Sequence, residues 1–324
     1  MSEREMELWE QYPFEIGKIS RVRGAFLCET KEGLRYLRET GSTEKRLRFE
    51  NEILEKLTEL TGIPVDSYVE NKEGNLVTES SDKRTFAVKR WPAGRECDMA
   101  DAGEIVKGAE VLAKLHEGLI QISAETERGA EAAGDWREEL SRHTKELLRT
   151  RNYIRKKRHK SDLELQILGG FNGYYEQAMD AAARAEAEPA AEVFLCHGDY
   201  THHHLLVQGA QMAVIDFSHM GWDVPAGDLY LFLRKAMEKH GWNRKLGEAV
   251  LEGYQKNREL SPGERRYLDI RLRYPEKFWK QVNYYYNRKK SWVPLRNLEK
   301  LQLLEQQKEQ QEEFLAAMEA GGLL

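Results

Sequence analysis

The chain has 324 residues, 40 % of them hydrophobic and 32 % charged, a length and composition that fit two folded lobes rather than one small core. Its net charge of −5 predicts no nucleic-acid partner, no apolar run predicts a membrane span, and the charged amino-terminal segment does not resemble a signal peptide. Three widely spaced cysteines exclude a disulfide framework and favour a reducing compartment.

The beginning of the chain alternates between strand-like and helical patterns. The five predicted strands occupy residues 14–19, 25–30, 33–38, 75–79 and 85–90. Between the third and the fourth, apolar residues recur at helical spacing from 47 to 60, in a helix that Ser42 would cap and Gly62 would end. Three strands, a helix and two strands are the plan of a kinase amino-terminal lobe.

The segment 91–94 breaks this pattern and is the predicted linker. Residues 1–90 would therefore form a β-rich, nucleotide-lobe-like domain, and residues 91–324 a mainly helical lobe. Helical patterns occupy 105–115, 136–154 and 163–183. A strand-and-loop region at 193–217 interrupts these helices. The predicted fold class is α+β, with a two-lobed, protein-kinase-like architecture.

Two carboxylates stand on neighbouring loops of the region 193–217. Asp199 ends a His-Gly-Asp loop after an apolar run, and Asp216 ends a predicted hairpin. In phosphoryl transfer one such carboxylate accepts or orients the proton of the attacking hydroxyl, and another holds the magnesium that bridges the nucleotide phosphates. Either aspartate alone would more simply cap a turn. The pair in this order is more specific, and we expect both carboxylates to face one cleft between the lobes.

Several motifs carry a resemblance to known families. His197-Gly198-Asp199 resembles the catalytic loop of the aminoglycoside phosphotransferase and choline kinase superfamily, and the residues around Asp216 resemble its metal-binding strand end. Segments 91–97, 274–280 and 285–293 resemble the CotS family of endospore coat-associated proteins, and within it the YutH-like branch. The resemblance extends over roughly the whole chain.

This resemblance implies a Gram-positive spore former, assembly from the mother-cell cytoplasm and a final location in the spore coat. Other spore coat proteins would be the partners. The superfamily pattern implies ATP and magnesium as cofactors, with Asp199 as catalytic base and Asp216 as a metal ligand. The position five residues after the catalytic acid, usually an asparagine that ligates magnesium, holds His204. Imidazole nitrogen suits softer metals than magnesium.

Two further positions depart from the pattern of an active kinase. Arg38 stands where a phosphate-binding lysine is usual, and arginine is not interchangeable with lysine. Arg38 would bind the nucleotide phosphates and pair with Glu52 of the predicted helix, or with Glu50 as the second choice. Tyr36, on the same strand face, would point toward the adenine site, where a smaller side chain is usual.

These departures are expected to weaken the binding of nucleotide and metal, while both acids are retained. They predict weak binding of ATP and magnesium, and they favour a degenerate or inactive kinase that serves as a scaffold in spore coat assembly. The alternative is an active ATP-dependent kinase that phosphorylates a hydroxyl of a small-molecule substrate.

The run of three histidines at 202–204 does not predict a zinc site, because consecutive residues cannot all face one ion. His197 is expected to orient the catalytic loop by hydrogen bonding.

Overall fold

The computed structural model describes the chain in five stretches. They are residues 3–22, 24–126, 133–287, 295–321 and 323, with only the backbone described at 3–5, 285, 287 and 295. Residues 288–293 of the segment that resembles the coat proteins lie outside the described residues. The chain forms two compact units, Met1–Arg128 with Phe194–Gly221, and Gly129–Val193 with Trp222–Leu324. The predicted boundary between Arg90 and Trp91 is not tested by this division and stays a prediction.

Helices and short strands make up the described part of the chain. The strands are β1 Ile19–Val22, β2 Ala25–Thr30, β3 Gly33–Glu39, β4 Tyr68–Val69, β5 Thr78–Glu79, β6 Thr85–Trp91, β7 Arg95–Glu96, β8 Phe194–Cys196, β9 Leu205–Gln208, β10 Gln211–Val214 and β11 Gly221–Asp223. The helices are α1 Glu3–Glu10, α2 Glu44–Thr61, α3 Ala102–Glu125, α4 Trp136–Lys156, α5 Asp162–Ala187, α6 Ala226–Lys239, α7 Arg244–Gln255, α8 Pro262–Arg273, α9 Glu276–Asn287, α10 Leu295–Gln306 and α11 Lys308–Ala320. The second, third and fifth predicted strands are confirmed, and the fourth is shorter than predicted. The first was predicted at 14–19, but the strand found there begins only at Ile19 and runs to Val22.

The first unit contains an antiparallel sheet in the order β1-β2-β3-β6-β4, and β5 also pairs with β6. Successive side chains of a strand point to opposite faces. In β6, Phe86 and Val88 therefore face the apolar core beneath α1, while Ala87 and Lys89 face the other side. The register places Lys89 opposite Tyr36 of β3. This second face of the sheet forms one wall of the candidate site.

Helix α2 brings an acid to the same region. Its cap is Thr43, one residue later than predicted, because the Thr43 hydroxyl accepts a hydrogen bond from the Arg46 amide at 3.3 Å. The helix ends at Gly62, in the left-handed conformation that the predicted stop requires. On its buried face Glu50 lies among apolar residues and is 2 % exposed.

The predicted hairpin is confirmed as β9 and β10, which pair antiparallel, with β7 as the third strand of a small sheet. At the end of β10 the Val214 amide donates to the carbonyl of Pro64, and just beyond it the Ile215 amide donates to the carbonyl of His204. The segment after α2 thus lies alongside the end of the hairpin. This contact brings Asp66 next to Asp216.

The second unit is mainly helical. Helices α4, α5, α6, α8, α9 and α10 contribute to an apolar core that includes Phe171, Phe278 and Leu301. Together with the sheet of the first unit, these helices give the mixed helix and sheet content expected of an α+β fold. Within the described residues, no helix is both long and apolar enough to cross a bilayer.

Candidate active site

The loop after β8 is built around a buried histidine. His197 is 0 % exposed, and its Nδ1 accepts a hydrogen bond from the Asp199 amide at 3.2 Å. Its Nε2 consequently carries the proton and donates to the carbonyl of Ile215 at 3.0 Å. His197 thus joins the loop of Asp199 to the chain just before Asp216, which is the orienting role expected from the sequence.

Asp216 has an unusual backbone conformation. Its φ of 62° and ψ of 63° lie in the left-handed region, which is uncommon outside glycine and is often found at functional sites. The Asp216 amide donates to Asp66 Oδ2 at 3.0 Å, and this contact holds the strained residue in place. The carboxylate of Asp66, 1 % exposed, is therefore part of the support beneath Asp216.

Both carboxylate oxygens of Asp216 have partners within the chain. Oδ1 accepts from the Ser218 hydroxyl at 2.7 Å, and Oδ2 accepts from Arg38 Nη1 at 3.1 Å. Burial by itself would raise the pKa of Asp216. The Ser218 hydrogen bond and the positive charges of Arg38 and Lys89 outweigh that effect and lower the pKa to about 2. Asp216 is therefore ionised throughout the physiological pH range.

His204 lies between the two acids. Its Nδ1 donates to the carbonyl of Asp199 at 2.7 Å and is 3.6 Å from Asp199 Oδ2, while its Nε2 is 3.7 Å from Asp216 Oδ2. The two carboxylates predicted to act together are thus on either side of one imidazole ring. His203, by contrast, turns away and contacts Glu96 at 2.7 Å.

The predicted pairing of Arg38 with Glu52 or Glu50 is wrong. Arg38 binds Asp216, and Glu52 is exposed on the outer face of α2. The base that pairs with α2 is Lys89, whose Nζ is 3.3 Å from Glu50 Oε1. The reason is position: Lys89 extends from the strand beside β3, on the face that Glu50 approaches.

Sequence reasoning missed Lys89 and Asp66. Lys89 Nζ is also 3.1 Å from Asp66 Oδ2 and lies over the Tyr68 ring, 4.4 Å from its centroid. Burial would lower the pKa of Lys89, but the charges of Asp66 and Glu50 outweigh it and raise the pKa, so the ammonium stays charged. One signal was available: by strand alternation Lys89 shares with Ala87 the face of β6 opposite to that of Phe86 and Val88.

These groups line a cavity of about 410 Å³. Its wall includes Arg38, Lys89, His204 and Asp216, together with Tyr36. The Tyr36 ring stacks on Trp91 with 4.1 Å between centroids and 22° between planes, so two aromatic rings fill one side of the wall. Among the described residues that line the cavity, neither Asp199 nor Glu52 is present. A cleft between lobes that both acids would face stays a prediction.

The residues around Asp216 do not fit a resident magnesium ion. Magnesium requires several oxygen ligands in octahedral geometry. Both Asp216 oxygens already accept hydrogen bonds from Ser218 and Arg38, and the nearest further side-chain atom given for Asp216 Oδ2 is the imidazole nitrogen Nε2 of His204, at 3.7 Å. No group of three or more His, Cys, Asp or Glu side chains in the described part of the chain is arranged to hold a metal.

The fold is that of kinase-like small-molecule phosphotransferases. An aminoglycoside phosphotransferase from Alicyclobacillus acidocaldarius subsp. acidocaldarius DSM 446 is 18 % identical with a TM-score of 0.85, covering 98 % of this chain and 95 % of that chain. A spectinomycin phosphotransferase solved with ADP and spectinomycin is 13 % identical, with a TM-score of 0.62 and coverage of 93 % and 92 %. A microcompartment-associated aminopropanol kinase is 15 % identical, with a TM-score of 0.58 and coverage of 97 % of both chains.

The chain belongs to the family described as spore coat putative kinase YutH, whose model matches residues 5–318. This match confirms the YutH-like resemblance read from the sequence, and the solved structures confirm the kinase-like α+β fold. No curated protein sequence matches the chain. At identities below 20 %, the solved structures establish the fold and leave the activity to be argued from the site.

Proposed function

We propose that this member of the family is a degenerate kinase that serves as a scaffold in spore coat assembly. One observation carries the proposal: the imidazole of His204, five residues after Asp199, lies between the carboxylates of Asp199 and Asp216. A neutral or protonated imidazole there cannot replace the hard amide oxygen that magnesium prefers. The catalytic role of Asp199 and the metal role of Asp216 and His204 remain predictions.

The proposed partners are other spore coat proteins, and the proposed route is from the mother-cell cytoplasm to the coat. The family description, with its mention of the spore coat, supports this assignment. A nucleotide is a plausible ligand, because relatives of the same fold were solved with ADP or with AMP-PNP and Ca²⁺. Magnesium-dependent binding of ATP by this chain is expected to be weak.

The first test is thermal unfolding with ATP and magnesium. A ligand that binds the native state raises the melting temperature to a degree set by the ratio of its concentration to its Kd, so for the unmodified protein we expect almost no difference between ATP in EDTA and ATP in magnesium. His204→Asn supplies an amide oxygen, so adding magnesium to ATP should raise the melting temperature of this variant by about 2–4 °C. His203→Asn is the matched control, since His203 points to Glu96 and should behave as the unmodified protein. A large rise on adding magnesium to ATP in the unmodified protein would contradict the proposal.

An active kinase that phosphorylates a hydroxyl of a small molecule is the second candidate function. The buried Lys89–Glu50 pair favours it, because a base paired with the helix acid is part of a working kinase site. In that mechanism Asp199 orients or accepts the proton of the attacking hydroxyl, and Lys89 presents positive charge to the cavity wall. Arg38 and Ser218 would hold the Asp216 carboxylate in position.

A strain that carries Asp199→Asn separates the two functions. A scaffold requires no general base, so spores of this strain should have the same coat protein composition on gels as the parent. Spores of a deletion strain should lack part of that composition. If Asp199→Asn instead reproduces the deletion while the variant accumulates normally, the chain acts as an enzyme and the scaffold proposal is wrong.

A further inference from the structure

The exposed guanidinium of Arg38 stands where a metal ion would neutralise Asp216. We propose that Arg38 replaces the divalent ion, so that the cavity binds the phosphate groups of a nucleoside diphosphate or triphosphate without metal. This inference rests on the proposed function, in which metal-dependent transfer is lost, and it names the ligand that the scaffold would bind. It follows from the misfit between magnesium and the residues around Asp216.

Arg38 is available for this role because Lys89, and not Arg38, forms the ion pair with the acid of α2. In the arrangement expected from the sequence, the base on β3 would be held by an acid of α2. Here Glu50 binds Lys89 at 3.3 Å, and Asp66 binds the same ammonium at 3.1 Å. Among the described ion pairs, Arg38 takes part in one only, with Asp216.

The contacts of Arg38 leave donors for a ligand. A guanidinium has five N–H donors, and in the described residues only Nη1 is used, toward Asp216 Oδ2. The Arg38 side chain is 54 % exposed, whereas that of Asp216 is 26 % exposed. A planar guanidinium can bind two phosphate oxygens side by side, which a compact ammonium cannot do. An ion pair this exposed is weak, so a phosphate can share or replace it.

Three carboxylates of the cavity wall are each already paired with a cation of the chain. The carboxylates of Glu50 and Asp66 are both engaged by Lys89, and that of Asp216 is engaged by Arg38 and Ser218. Lys89 itself lies in the cavity wall, with 12 % of its side chain exposed. A phosphate that enters therefore meets Lys89, held by two buried carboxylates, and Arg38, which is the more exposed of the two cations.

Calorimetric titration of the full chain with ADP, in EDTA and in magnesium, tests the proposal. We expect a Kd in EDTA within about threefold of that in magnesium, because Arg38 already supplies the charge. Arg38→Gln should weaken binding in EDTA by about tenfold or more, as loss of a charge-assisted phosphate contact does. Arg90→Gln is the matched control, since Arg90 is equally exposed at 54 % and is not among the cavity residues.

Pyrophosphate and adenosine as separate ligands show which part of ADP is recognised. Pyrophosphate should bind in EDTA and adenosine should not. The proposal is overturned if ADP binds only with magnesium, if neither ADP nor pyrophosphate binds, or if Arg38→Gln binds ADP as the unmodified protein does. A melting curve of Arg38→Gln equal to that of Arg90→Gln shows that the fold is intact. Turnover that depends on Asp199 would overturn the scaffold function and leave the metal-free binding result standing.

Discussion

Replacing Lys89 with methionine is expected to lower the free energy of unfolding by about 3–5 kcal/mol, because two buried carboxylates lose their common cation. The side chains of Glu50 and Asp66 are 3 % and 1 % exposed, so water cannot take the place of the ammonium. Chemical denaturation monitored by circular dichroism measures the change as a shift of the unfolding midpoint.

Lys56→Met is the matched control for this substitution. Lys56 lies in the same unit, and its only described ion pair, with Glu125, is exposed on both sides. Exposed pairs contribute little, so this variant should unfold at the midpoint of the unmodified protein within error. A double variant, Lys89→Met with Asp66→Asn, should recover part of the lost stability. The asparagine side chain is uncharged, and its carbonyl oxygen can still accept the hydrogen bond from the Asp216 amide. Equal stability of Lys89→Met and Lys56→Met would show that the buried cluster is not stabilising.

Replacing Gly198 with alanine is expected to cost about 2–5 kcal/mol, from an unfavourable backbone conformation and a steric clash together. Gly198 has a φ of +81°, and a Cβ there would lie 2.2 Å from the carbonyl oxygen of His219. That oxygen belongs to the backbone, so it cannot rotate away as a side chain would. The loop that positions Asp199 would have to move.

Gly74→Ala separates the two contributions. Gly74 has the same φ of +81°, but a Cβ there would have no atom within 4 Å. Its substitution should cost only the conformational penalty, about 1–2 kcal/mol. Denaturation of both variants measures the difference, which is the cost of the clash. If Gly198→Ala proves no less stable than Gly74→Ala, the close approach of the loop to His219 is not as the structure describes it.

Local patterns in the sequence were informative where neighbours along the chain decide the structure. The hairpin before Asp216 was predicted because two short apolar runs joined by a turn fold onto each other. The end of α2 at Gly62 was predicted because glycine tolerates the left-handed conformation. Helix α1 was not predicted, because its short and highly charged sequence is stabilised by packing of Leu8 and Trp9 on the sheet.

The sequence by itself determined the fold class and the family resemblance, and it indicated Asp199 and Asp216 as candidate acids, since motifs and periodicity are local properties. Only the tertiary structure decided which base meets which acid. Arg38 and Asp216 are 178 positions apart in the chain, and Lys89 and Glu50 are 39 apart. Their pairing depends on the register that places Lys89 opposite Tyr36, and on the segment after α2 that brings Asp66 beneath Asp216. A salt bridge forms where two charges are brought within a few ångströms, and strand pairing across the sheet, rather than spacing in the sequence, sets that distance.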